Sequence, residues 1–143
     1  MAIIIDANCA PVALKQPPSE EFRPVMKAIL DGKQKLAVGG SKQKHEYRKL
    51  HAVWMYIQLL DQAGKAFLVK DESVDAEELD IQNRHTLASD DPHLLALARV
   101  SGARLLCSLD KALHADFCNP AIINKPRGYV YQVAAHAHLI SKC

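Results

Sequence analysis

The feature that most constrains this chain is residues 90–116, DDPHLLALARVSGARLLCSLDKALHAD, where a helical pattern passes into a strand pattern with only a glycine turn between them. Pro92 has the fixed φ of a first helical position, and Leu94, Leu95, Leu97 and Ala98 form an apolar stripe that stops at Gly102. Residues 103–107 then read as a short buried strand with Arg104 near its entry. Ser108 and Asp110 close that strand before a new helix from Lys111. In a sheet of parallel strands such a helix runs back against the strand direction, so its start and the end of the next strand share one edge. Asp91 and Asp110, with no acid between them, are thereby brought to the same edge. Open α/β sheets bind their ligands there.

The rest of the chain repeats the alternation. Residues 2–5 are a continuous apolar, β-branched run, predicted as a strand buried on both faces that ends at Asp6. Pro17, Pro18 and Ser19 mark a loop and N-cap, and a helix over 20–30 carries Phe22, Val25, Met26 and Ile29 on one side. A second strand over 36–38 ends at Gly39-Gly40. The longest helical period covers 42–62, with Leu50, Val53, Trp54, Ile57 and Leu60 in register, and Glu46 continues that stripe into the first turn. Residues 66–69 read as a third strand, and 75–81 as a short acidic helix with solvated charges. Ile122 and Ile123 suggest a fifth strand, and 129–133 begin a last amphipathic element. The predicted architecture is α/β, a mostly parallel central sheet of about five strands flanked by helices in three layers, with residues 1–143 as a single domain.

At 143 residues with 49% hydrophobic and 24% charged residues, the chain can bury an adequate core without staples, and neither disorder nor a membrane span is expected. The apolar start over residues 2–5 is too short for a signal peptide, so a cytoplasmic protein is expected, and Cys9, Cys107, Cys118 and Cys143 show no CxxC spacing, which favours reduced thiols. A net charge of +2 is too small to name a nucleic-acid partner. The basic residues are nonetheless concentrated around Glu46: Lys33, Lys35, Lys42, Lys44, Arg48 and Lys49 fall in one short stretch. Such a run is ordinarily a solvated face.

Right-handed crossovers put Asp6, Glu46, Asp91 and Asp110 all at the carboxyl edge of the sheet. Each alone has an ordinary explanation: a turn residue, a helix-dipole carboxylate, and two helix caps. Together in one cleft, each pair about 4 Å apart would repel by about 4 kcal/mol at an effective dielectric of 20. Protons or cations must relieve that. Hard cations, Mg²⁺ or Mn²⁺, suit all-oxygen ligands, and the chemistry such a site performs is hydrolysis of a phosphodiester by a metal-activated water. Asn8 and Ser108 are placed to support the acids, and Lys42, Lys44, Arg48 and Lys49 to hold flanking phosphates.

Four pieces, IIIDAN at the start, HEY at Glu46, DDPHLLALA around Asp91 and GARLLCSLD ending at Asp110, occur in the order found in the PIN-domain family of metal-dependent nucleases, which this chain resembles. The resemblance implies a PIN-like fold, an acidic cluster of Asp6, Glu46, Asp91 and Asp110 binding Mg²⁺ or Mn²⁺, and cleavage of single-stranded or structured RNA. It adds Asp116 as a further metal acid and sets Ser108 where members often have Thr or Ser. It also brings in the toxin–antitoxin role of many short members, with an antitoxin-type protein partner and a homodimer as expected assemblies; the tail INKPRGYVYQVAAHAHLISKC departs from the usual short toxin ending. The alternative is an inactive PIN-like module that binds RNA or protein, against which the intact acidic set argues. An aspartyl-phosphate enzyme is disfavoured because Asp6-Ala7-Asn8 lacks a second Asp. His136 and His138 point to different faces of a helix and do not read as a metal pair; Tyr129 and Tyr131 read as packing, with stacking on RNA bases as their functional alternative.

Overall fold

The computed structural model describes residues 1–142. Five parallel strands, β1 (Ala2–Ile5), β2 (Lys35–Val38), β3 (Ala66–Leu68), β4 (Leu105–Cys107) and β5 (Tyr129–Tyr131), form one sheet in the order β3-β2-β1-β4-β5. The β-branched run at the chain start thus becomes the central strand, flanked by β2 on one side and β4 on the other, with Ile3 opposite Leu105 and Ile5 opposite Cys107.

Strand alternation sorts the core into two halves. Ile3 and Ile5 point into one cluster with Leu36, Val38, Leu105 and Cys107, covered by α1 (Ala10–Ala13), α2 (Arg23–Leu30) and α4 (His51–Gln62). Ala2 and Ile4 point into the other with Ala37 and Leu106, covered by α5 (Asp71–Arg84), α6 (Pro92–Ser101) and α7 (Lys111–Phe117). Helices on both faces explain why β1 is apolar at every position rather than at every second one. Gly102, at φ 80°, ends α6 in the left-handed conformation that a Cβ would oppose.

Several elements differ from the sequence expectations. The long helix over 42–62 is two helices, α3 (Ser41–Arg48) and α4, broken at Lys49 and Leu50. Tyr47 is the anchor: it is fully buried and its hydroxyl donates to the carbonyl of Ile5 at the end of β1. Glu46 accordingly lies in the last turn of α3 rather than the first turn of a long helix. Ile122 and Ile123 are not a strand: both N–H groups bond the Asn119 carbonyl in a turn, their side chains fill the second core cluster, and the fifth strand follows at Tyr129. The predicted helix over 20–30 begins as a 3₁₀ turn, Glu20–Phe22, before α2. The acidic helix is longer than expected, and its charges are not all solvated, since Glu78 is 6% exposed and takes the ammonium of Lys42. Cys9 and Cys118 are free thiols; Cys143 lies outside the described residues. Among the described residues no helix is long and apolar enough to cross a membrane.

Candidate active site

Asp6 is the first residue past β1, and its backbone N–H still donates to Cys107 at 2.9 Å, so its side chain emerges between the ends of the two central strands. Its Oδ2 accepts a 2.8 Å hydrogen bond from Ser108 Oγ, a hydroxyl with no solvent exposure. The same oxygen of Ser108 accepts from Asp110 N–H at 3.1 Å. One buried hydroxyl therefore ties two acids that are far apart in sequence. Asn8 assists from the loop after β1, where its Oδ1 accepts from Leu109 N–H at 3.4 Å.

Asp110 is a true helix cap: Oδ1 accepts from Ala112 and Leu113 N–H at 2.9 and 3.3 Å. Asp91 is not. It occupies the N-cap position of α6, yet its carboxylate makes no capping hydrogen bond. An N-cap aspartate that leaves helix donors alone has given up about 0.5–2 kcal/mol of helix stability. What it faces is the cleft. Asp6, Ala7, Asn8, Glu46, Lys49, Leu50, Asp91 and Asp110 line one open hollow of about 480 Å³, so the four acids expected at this edge do meet. A second hollow of about 590 Å³ shares Glu46 and Asp91 and extends past Ser41, Lys42, His45, Asp90 and His93. A third hollow of similar size, about 550 Å³, lies at the opposite edge between α2 and the C-terminal turn. Its charged lining is only Lys27, Asp31 and Lys33, so it holds a single acid and no cluster.

The electrostatics carry the signature of crowded carboxylates. Burial pushes the Asp6 carboxyl above the ordinary range; Ser108 opposes this and Glu46 adds to it. For Asp91, burial and then the charge of Asp6, with Glu46 and Asp110 adding and His93 opposing, raise the carboxyl from 3.8 to about 6. Perturbed acids in a cleft mark functional sites more often than structural ones. The donors are carboxylate oxygens from different elements, and the Asp91 carboxylate is not spent on capping α6, so the set fits a hard divalent cation.

His93 escaped sequence reasoning. It is 4% exposed, and its Nε2 lies 2.8 Å from Glu46 Oε1. Glu46, Asp91 and His93 each offer an atom within 4.8 Å of the other two. The available signal was a lone histidine interrupting the apolar run from Pro92 to Ala98, one residue beyond the proline that follows Asp91.

Asp116, expected among the metal acids, is not brought to the cleft. It is 4% exposed; Oδ1 accepts from Ala88 N–H, and Oδ2 from Ser89 N–H and Ser89 Oγ, at 2.8–2.9 Å. Ser89 Oγ in turn accepts from Asp91 N–H at 3.4 Å. Asp116 thus fastens the loop that delivers Asp91. Of the four basic residues expected on phosphates, Lys42 meets Glu78 and Lys44 meets Asp71 at 2.9 Å, both acids on α5. Arg48 is exposed and stacks over Trp54 at 5.1 Å, and Lys49 is exposed and lines the acidic hollow. Tyr131 is fully buried, with its hydroxyl donating to the Glu21 carbonyl, which rules out stacking on a base. His136 Nδ1 accepts from Gln132 N–H, and His138 Nδ1 lies 3.2 Å from the Ala135 carbonyl, so neither belongs to a metal set.

The parallel sheet in this strand order, the helices on both faces and the acids at the carboxyl edge define a PIN-like fold. No protein-family model and no curated protein matches the chain. Among solved structures it is similar to a chain in the crystal structure of VapBC2 from Rickettsia felis bound to a DNA fragment from their promoter. The TM-score is 0.52 at 9% identity, over 92% of this chain and 98% of that one. The likeness is one of fold.

Proposed function

We propose that this chain is a metal-dependent ribonuclease acting in the cytoplasm, hydrolysing RNA phosphodiester bonds at the cleft of Asp6, Glu46, Asp91 and Asp110. The observation that carries the reading is the convergence of four carboxylates from four separate segments in one hollow, with Asp91 left unused as a cap. These four would hold Mg²⁺ or Mn²⁺, which supplies neutralisation of the phosphate and a water acidified enough to attack it. The chain's own parts have separable tasks. Ser108 and Asn8 set the spacing of the Asp6 and Asp110 loops, Asp116 holds the Asp91 loop, and Lys49 with Arg48 receives the phosphates beside the scissile one. Lys42 and Lys44 are engaged by α5 and contribute less to RNA than their charge suggests.

A protein partner of antitoxin type fits a fold shared with a chain of VapBC2, and Met55, Leu59, Phe67 and Leu68, exposed on α4 and the edge strand β3, provide apolar surface for it or for a second copy. Purified protein is expected to cleave single-stranded or structured RNA with Mn²⁺ or Mg²⁺ and to stop in excess EDTA. Cleavage that persists in EDTA overturns the mechanism. Binding of RNA without cleavage under any divalent ion returns the chain to the inactive-module alternative.

A further inference from the structure

His93 can serve the cleft in two ways, and the geometry distinguishes them. Two ligands about 2.1 Å from one ion at a right angle stand about 3 Å apart, so the 2.8 Å between His93 Nε2 and Glu46 Oε1 suits either shared metal ligation or a hydrogen bond. The other ring nitrogen decides. Nδ1 is buried and meets no hydrogen-bond partner among the described residues. As a metal ligand His93 would present the lone pair of Nε2, and the proton would sit on Nδ1, enclosed with no acceptor; ligating histidines ordinarily give that N–H to a carboxylate, carbonyl or water. In that tautomer the lone pair of Nε2 would also face the Glu46 carboxylate whenever the cation was absent. With the proton on Nε2 both difficulties vanish: Nε2–H donates to Glu46, and the buried Nδ1 is an acceptor left over rather than a stranded donor.

We propose that His93 is a positioning residue whose Nε2–H turns the Glu46 carboxylate toward Asp91, and that it does not itself ligate the cation. The start of α6 then makes two deliveries across Pro92. Asp91, one residue before it, enters the cleft, and His93, one residue after it, reaches across to α3 and fixes an acid whose side chain is 37% exposed. Held this way, Glu46 stays beside Asp91 despite their like charges. The inference rests on the proposed metal site for its purpose, but the tautomer can be read without metal or RNA.

In ¹⁵N-labelled full-length protein in EDTA at neutral pH, long-range ring correlations are expected to show His93 protonated at Nε2; a ring protonated at Nδ1 alone overturns the proposal. With Mn²⁺ bound, pulsed electron paramagnetic resonance is expected to show no directly coordinated ¹⁴N, and a strong ¹⁴N coupling that disappears in His93→Gln overturns it. Calorimetric Mn²⁺ titration supplies the third reading. His93→Gln keeps an N–H donor near Nε2 and should bind within ~3-fold of the parent, whereas His93→Leu should bind about 10–100-fold more weakly. Equal losses in both variants count against positioning. A parent protein that binds no Mn²⁺ refutes the ribonuclease site instead, and leaves the ring protonation to decide the contact with Glu46.

Discussion

Neutralising Asp91 should stabilise the metal-free protein while destroying its cleft. In the folded chain its carboxyl is raised from 3.8 to about 6, chiefly by burial and next by Asp6. A folded value above the unfolded one means stability that is complete below about pH 4 and is lost as pH rises through 6. The full difference corresponds to about 3 kcal/mol. Asp91 is only partly buried, so solvent screening reduces this to about 1–2 kcal/mol. With an unfolding entropy of about 2.1 cal/mol/K per residue, Asp91→Asn should raise Tm by about 3–7 °C in EDTA at pH 7.5. At pH 3, where the carboxyl is protonated in the folded and the unfolded chain alike, the gain should nearly vanish. Adding Mn²⁺ at pH 7.5 should reverse the ranking, because the cation stabilises only a chain that keeps the acid. Circular dichroism melts across pH, with and without Mn²⁺, measure all three. A loss of stability at pH 7.5, or an equal shift at both pH values, refutes the claim that crowded charge burdens this site.

Asp6→Asn and Asp110→Asn should abolish RNA cleavage, measured on labelled RNA, with dichroism spectra unchanged; Asp110→Asn keeps the cap on α7, because an Asn side-chain oxygen accepts the same N–H bonds. Arg48→Ala with Lys49→Ala should flatten the salt dependence of RNA binding by a slope of about 1.4 if each residue contacts one phosphate, whereas Lys42→Ala with Lys44→Ala should change it less. An identical slope for both pairs would show that α5 does not hold its lysines. Asp116→Ala leaves three donors of the Asp91 loop without their carboxylate and should cost about 2–3 kcal/mol. Hydrogen exchange should then accelerate at Ala88 and Ser89; protection equal to that of the parent excludes the fastening role.

The acids that converge were legible because parallel topology leaves little choice. Once residues 2–5 are a strand buried on both faces, Asp6 has to sit at its carboxyl end, and the tight passage from α6 to β4 brings Asp91 and Asp110 to it. Pattern reading failed where tertiary partners override local signals. Nothing at Lys49 or Leu50 breaks a helix; the interruption comes with Tyr47 reaching the end of β1, a contact across 42 residues. Ile122 and Ile123 have β-branched side chains in a segment whose N–H groups are already taken by Asn119. The lysines around Glu46 read as a free basic run because their acidic partners lie on α5, 27 and 36 residues away. The same distance effect hid Asp116: its carboxylate is spent on a loop 27 residues earlier, which spacing cannot reveal.

Because the central strand pairs on one side with β2 and on the other with β4, the cleft joins segments from distant parts of the chain. Asp6 meets its buried partner Ser108 and the neighbouring Asp110 only 102 and 104 positions further along the chain, with α1 to α6 between them. The four acids share one hollow only once β4 has joined β1, so the acidic cluster forms together with the sheet.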